Sequence, residues 1–249
     1  YHSLALRADG TIAAWGRDED GQASPPADLD DAVAVAGGRY HSLALRADGT
    51  VVGWGYDTEG QATPPAGLTD VVAIDAGAYH SLALRADGTV VAWGADSFGQ
   101  ASPPAGLADV VSVTAGGGFS LALRADGSIV GWGYHISGPP PPTLDIQAVA
   151  ASYDRTAVVN GDGTVSIWGY DPIGLRTPPP GLDDAVDVDL GRDHVLALRA
   201  GGTVIAWGDG TSGQLDVPPD LNDAVAVAAG WLHSLALRAD GTVVAWGND

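Results

Sequence analysis

Apolar and polar residues alternate along "HSLALRADGTVVGWG" at positions 41 to 55, with a break at Asp-Gly in the middle. A period of two on each side of a turn dipeptide is the pattern of a β-hairpin. The same pattern occurs seven times, each copy closing on a Trp-Gly pair at Trp15, Trp54, Trp93, Trp132, Trp168, Trp207 and Trp246. Successive pairs are 39, 39, 39, 36, 39 and 39 residues apart. The turn dipeptides fall at Asp9, Asp48, Asp87, Asp126, Asp162 and Asp240, with Gly201-Gly202 in the sixth unit. Asp-Gly between alternating runs predicts a two-residue type I′ turn. Between hairpins lies a third strand-like run, such as "AVAVAGG" at 32, "VVAIDAG" at 71 and "AVDVDLG" at 185, and a connector carrying Pro-Pro, as at Pro64-Pro65.

A unit of three short strands cannot bury both faces of its own sheet, so neighbouring units must stack. Closing the stack into a ring protects the sheets, which predicts an all-β, seven-bladed β-propeller occupying residues 1–249 as one domain. Seven hairpins accompany only six inner runs, so the first blade is expected to be incomplete and the natural chain to extend further. Composition agrees with strands and turns: there are 36 Gly and 16 Pro. Lys is absent and Glu19 and Glu59 are the only glutamates, which removes most strong helix formers.

The succession of Gly, His-Ser, Leu-Ala-Leu, Asp-Gly, Trp-Gly and Gly-Gln in "AGAYHSLALRADGTVVAWGADSFGQ" at 76 to 100 resembles the regulator of chromosome condensation repeat. The resemblance runs over the whole chain and implies a seven-bladed propeller. The short unit with its Pro-containing connector is similar to bacterial members, including the secreted propeller-type inhibitors of β-lactamases. It thereby implies a protein partner, whereas the nucleotide-exchange activity of the longer eukaryotic members is not expected of this unit.

A formal charge of −20 argues against nucleic acid, whose binding relies on cations displacing counterions, and against an anionic membrane surface. No apolar run is long enough to span a bilayer as a helix. His, Ser and Asp recur in "HSLALRADG", but adjacent residues of a strand point to opposite faces, so His41 and Ser42 do not form a nucleophile and its base. Equivalent His of stacked sheets are expected about 10 Å apart, far beyond the roughly 2 Å of a zinc–nitrogen bond, so a structural role is expected for them. The loops "RDEDGQ", "YDTEGQ" and "ADSFGQ" place Asp as calcium loops do, at Asp18, Glu19 and Asp20 in the first, yet lack the closing Glu. Turn-forming Asp is the better reading. The seven Trp of Trp-Gly are read as packing core. No enzyme activity, cofactor or metal is expected.

Where copies agree they describe scaffold; where they differ they point to function. One variable set precedes the His slot and includes Arg39, Tyr40, Tyr79, Tyr153, Arg192 and Trp231. The other follows Trp-Gly and includes Tyr56, Phe98, Tyr134, His135 and Tyr170. Strand direction places both sets at one end of the sheets and the Asp-Gly turns at the other. Aromatic residues and Arg anchor protein interfaces. The expected function is therefore non-enzymatic binding of a protein through the variable loops, by a secreted or cell-surface bacterial protein. A structural or adhesive module of a larger protein and an inhibitor of a secreted β-lactamase are the alternatives.

Overall fold

The predicted hairpins and inner runs form twenty strands in a computed structural model that describes residues 2–134, 145–171 and 174–248. The first sheet has two strands, β1 (His2–Leu6) and β2 (Ile12–Gly16). Six sheets of three follow. They are β3 (Ala32–Gly37), β4 (His41–Arg46) and β5 (Val51–Gly55); β6 (Val71–Ala76), β7 (His80–Arg85) and β8 (Val90–Gly94); and β9 (Val110–Ala115), β10 (Phe119–Arg124) and β11 (Ile129–Gly133). The last three are β12 (Ile146–Ser152), β13 (Arg155–Asn160) and β14 (Val165–Gly169); β15 (Ala185–Leu190), β16 (His194–Arg199) and β17 (Val204–Gly208); and β18 (Ala224–Ala229), β19 (His233–Arg238) and β20 (Val243–Gly247). All pairings are antiparallel, and the described residues contain no helix. This is the seven-bladed propeller class, with a first blade of two strands. The chain divides into two compact units, Tyr1–Ile136 and Ser137–Asp249.

The hairpin turn differs from the expected one. Gly10 N–H donates to the Arg7 carbonyl and Arg7 N–H to the Thr11 carbonyl, so the loop is Ala8-Asp9-Gly10, three residues and not two. Only the glycine has positive φ, +81°, and the same holds at Gly49, Gly88, Gly127, Gly163, Gly202 and Gly241. A type I turn followed by a left-handed Gly has this geometry. The sixth turn has it too, with Gly201 in place of Asp, so the loop does not depend on the carboxylate. Where Asp is present it adds bonds, as at Asp9, which accepts from Thr11 N–H at 3.0 Å and Thr11 Oγ1 at 2.6 Å. Those bonds hold the Asp carboxyl below its ordinary pKa, the Thr11 hydroxyl first. A type I′ turn would need positive φ at Asp as well, and the Asp-x-Thr bonding competes against it.

Successive sheets interlock at this end. The first residue of five inner strands donates to the carbonyl of the turn glycine of the sheet before: Ala32 to Gly10, Val71 to Gly49, Val110 to Gly88, Ala185 to Gly163 and Ala224 to Gly202. The middle strands β4, β7, β10 and β16 are buried along almost their whole length. Their Leu-Ala-Leu triplet packs in opposite directions: Leu43 and Leu45 of β4 meet Ala83 of β7, while Ala44 meets Ile12 of β2. Large against small lets the sheets stack without voids. Leu82, Leu84 and Ala122 repeat the arrangement one sheet on, and Leu196, Leu198 and Ala236 repeat it in the second unit.

These turns make a testable contrast. Gly60 also has positive φ, +79°, but a methyl group there meets nothing within 4 Å, whereas at Gly10 it would collide with the Asp30 carbonyl oxygen. Gly60→Ala is expected to cost only the left-handed penalty, about 1–2 kcal/mol. Gly10→Ala should cost clearly more in urea denaturation, and equal losses would contradict this account of the turn.

Candidate functional site

His, Ser, Trp and Gln of the repeat converge on one carbonyl. Ser42 Oγ donates to the Gln22 carbonyl at 2.8 Å and Trp54 Nε1 donates to the same oxygen at 2.9 Å. His2 Nε2, from the preceding sheet, lies 2.7 Å from Ser42 Oγ. The set recurs as His41, Ser81, Trp93 and Gln61, as His80, Ser120, Trp132 and Gln100, and in the second unit as His194, Ser234, Trp246 and Gln214. The single hydroxyl proton of Ser is committed to the Gln carbonyl, so the His must donate through Nε2, and it is the neutral Nε2–H tautomer. Burial drives the pKa of His41 down to about 3 and those of His80 and His194 to about 4. A Ser that donates to a carbonyl and a His with no basic character are not a nucleophile and base. The His role is structural, as expected, but each His serves the Ser of the next sheet.

The variable residues of each described three-stranded sheet lie at the end opposite its hairpin turn. In each three-stranded sheet a backbone bond joins the two sets: Tyr56 N–H to the Tyr40 carbonyl, Ala95 to Tyr79, Tyr134 to Gly118, Tyr170 to Asp154, Asp209 to Asp193 and Asn248 to Leu232. In the first unit Tyr40 is the centre of a cluster. Its ring centroid lies 5.6 Å from that of Tyr79 and 6.1 Å from that of Tyr56, and Tyr56 and Tyr79 are 6.3 Å apart. The guanidinium groups of Arg39 and Arg17 approach the Tyr40 ring at 5.0 and 5.3 Å. Burial, then Tyr40, raises the pKa of Tyr79, so its hydroxyl stays protonated. Phe98 and Tyr134 form a separate pair, 4.7 Å between centroids, and both are more than half exposed.

The second unit carries its own patch. Tyr153 meets the Trp231 ring edge-on at 6.0 Å, and Arg192 covers Trp231 at 4.6 Å. Tyr153 occupies a two-residue turn at φ +51°, a left-handed conformation that is unusual for a Tyr. Tyr170 stands exposed nearby in sequence, joined to Asp154 through the backbone. His135 lies outside the described residues.

Arg17 and Arg155 join the site although neither is among the candidate binding residues read from sequence. Arg17 belongs to the divergent loop after Trp15-Gly16, just before Asp18. Arg155 occupies a His slot, and the Ser slot of the following sheet is Val195. With no hydroxyl to meet, the longer side chain donates to the Arg192 carbonyl, to the Tyr170 carbonyl at 2.8 Å and to Asp193 at 3.4 Å. One buried guanidinium thus ties two variable loops together. Two further links escaped notice: Asp75 accepts from Ala115 N–H at 2.7 Å and Asp189 from Ala229 N–H at 2.8 Å, carboxylates bridging neighbouring inner strands. In the Asp-rich loops Asp18 accepts from Ala23 N–H and Ser24 Oγ, as Asp57 and Asp96 do at their own positions. No group of three or more His, Asp or Glu is gathered to hold a metal among the described residues. No helix among the described residues is long and apolar enough to cross a membrane.

The repeat named Regulator of chromosome condensation (RCC1) repeat matches residues 1–22, 32–61, 71–100, 110–138, 185–214 and 224–249, more than half of the chain. The chain belongs to the RCC1 repeat family. The fifth unit, where Arg155 and Leu175 replace the usual His and Gln, lies outside the matched segments of this RCC1 repeat protein. No curated protein matches the sequence. Among solved structures the fold is similar to the ectodomain of the Arabidopsis thaliana receptor kinase ACR4, with TM-score 0.79, 20% identity, and coverage of 99% of this chain and 90% of that one. It is also similar to the ectodomain of the Physcomitrella patens receptor kinase CR4, with TM-score 0.81, 21% identity, and coverage of 99% and 70%. Prp20p from Saccharomyces cerevisiae, described with its binding to Gsp1p and histones, gives TM-score 0.77, 16% identity, and coverage of 100% and 81%.

The buried histidines set a pH dependence. Their folded pKa values lie below the ordinary 6.5, so the unfolded chain takes up protons that the folded chain refuses as pH falls from 6.5 towards 4. Stability is therefore retained above about pH 6.5 and lost below it, by at most about 1.4 kcal/mol per site per pH unit. Thermal melting should fall over that window, and His41→Gln, His80→Gln and His194→Gln together should flatten the slope. A parent protein equally stable at pH 7 and pH 4.5 would contradict the buried neutral state.

Proposed function

We propose that this RCC1 repeat protein is a non-enzymatic binding module that holds a protein partner at the variable-loop ends of its sheets. The observation that carries the reading is the pairing of aromatic rings with guanidinium groups there: Tyr40 with Arg17 and Arg39, and Trp231 with Arg192. Such side chains bury large areas at small conformational cost, which is why they dominate interface energetics. The latches beneath them keep the loops from having to be ordered on binding. Gsp1p binding by Prp20p, a structural neighbour, supports a protein as the class of partner.

A secreted β-lactamase is one candidate partner, and inhibition of a purified panel tests it directly. We also propose a secreted or cell-surface location, supported by the two receptor-kinase ectodomains among the structural neighbours. Fractionation of producing cells checks it, and a product retained inside them opposes it.

Simultaneous Tyr40→Ala, Tyr79→Ala and Trp231→Ala is expected to weaken partner binding at least about 100-fold, some 2.7 kcal/mol. Arg85→Ala, at the Asp-Gly end, should leave it unchanged. The comparison is made by quantitative capture from the native source, then by titration of the purified partner. A triple variant that captures every partner as the parent does removes the basis of the proposal.

A further inference from the structure

The Asp-Gly end carries a feature that the variable loops do not explain. Every inner strand begins with a one-residue irregularity. Ala32 pairs with Arg46 and Ala34 with Leu45, leaving Val33 as the extra residue; Val72 and Val111 hold the same place in β6 and β9. A bulge turns its extra side chain out of the regular pleat. Val33, Val72 and Val111 are accordingly 53, 54 and 55% exposed, although the register would have let a polar residue stand there at no packing cost. The inner strand of the fifth sheet, β12, shows this, with Gln147 at the bulge. Val186 and Val225 repeat the exposed aliphatic in the second unit.

Within the first unit Val33 and Val72 border a shallow, open depression of about 440 Å³ between the second and third sheets, and Val111 stands at the equivalent place one sheet on. Val33 and Val72 line it together with Leu45, Arg46, Asp48 and Asp70. Asp70 and Asp109, each directly before an inner strand, are held at φ +59° and +57°, so the backbone that aims Val72 and Val111 is fixed in an uncommon conformation. The surrounding charge is acidic. Each three-stranded repeat of the first unit brings one Arg and two Asp to this end: Arg46 with Asp31 and Asp48, Arg85 with Asp70 and Asp87, and Arg124 with Asp109 and Asp126. Arg46 itself lies 3.6 Å from Asp31.

From these observations we propose that the Asp-Gly end of the first unit is a second docking surface, which takes a cationic, aliphatic-rich extended stretch of another protein. Charge selects the occupant. Another copy of this chain would bring like charge against like, and a nucleic acid or anionic bilayer would be repelled. A segment alternating basic and aliphatic side chains satisfies both features, its aliphatic groups covering the valines and its cations facing the Asp. This surface is at the other end of the sheets from the partner site proposed above, and neither proposal depends on the other.

The test uses the whole chain and fluorescein-labelled peptides of about nine residues, an extended length of roughly 30 Å, alternating Lys with Leu, Lys with Ser or Glu with Leu. Fluorescence anisotropy is read at about 50 mM salt, where surface attraction is only partly screened. The Lys-Leu peptide is expected to bind at least about tenfold more tightly than the Lys-Ser peptide, and the Glu-Leu peptide not at all. Val33→Thr, Val72→Thr and Val111→Thr together keep the β-branched shape and are expected to remove most of that preference without moving the melting temperature. Equal binding of the Lys-Leu and Lys-Ser peptides, or a Thr variant that binds as the parent does, overturns the proposal. So does sedimentation showing that the parent is a dimer which the Thr substitutions dissolve.

Discussion

Four pairs of neighbouring sheets are each joined by a hydrogen bond that neither sheet could make alone. A His Nε2–H reaches the Ser hydroxyl of the following sheet, and that hydroxyl, with the Trp indole beside it, finishes on a Gln carbonyl. All of these groups are buried, so leaving any one of them unpartnered costs about 1–3 kcal/mol. That penalty makes the arrangement specific: a sheet displaced along its neighbour would strand a hydroxyl, an indole N–H and an imidazole at once. Burial also removes the imidazole's basicity, which turns a residue type associated with catalysis into a neutral donor.

A latch this uniform leaves freedom elsewhere. The residue pair before the His and the loop after Trp-Gly are each joined to the scaffold by backbone bonds, so their side chains can change without disturbing it. The cluster of Tyr40, Tyr56 and Tyr79 and the patch of Tyr153, Arg192 and Trp231 are two products of that freedom. The fifth unit shows how the scaffold adapts when a latch is lost. Arg155 replaces His where Val195 replaces Ser, and the guanidinium takes carbonyl oxygens from two loops in place of one hydroxyl. A loss in the skeleton becomes a support for the variable end.

Most of the fold was legible because alternation and Trp-Gly are local signals repeated seven times and the inner runs six times. The family was legible for the same reason. The partners of the His, Ser and Gln were not, since each bond joins residues 20 to 40 positions apart in different sheets. The Asp-Gly turn differs from expectation because dipeptide preference does not register loop length: a three-residue loop asks for positive φ at its last glycine alone, as the sixth turn shows with Gly201 in place of Asp. The candidate site divides similarly. Sequence variation nominated Tyr40, Tyr79 and Trp231, but the stacking of Arg17 and Arg39 on Tyr40 depends on rotamers. The exposure of Val33, Val72 and Val111 depends on a bulge that alternation hides, because the run reads as apolar throughout.

The latch is tested most directly by a double-mutant cycle on His80 and Ser120, 2.9 Å apart across two sheets of the first unit. His80→Phe, the residue that position 119 carries in the same slot, is combined with Ser120→Ala, and unfolding free energies are measured in urea for the four proteins. A coupling energy of about 1–2 kcal/mol is expected, because removing either partner already strands the other. Single effects that add to within a few tenths of a kcal/mol would contradict the claim that these pairs hold the sheets together.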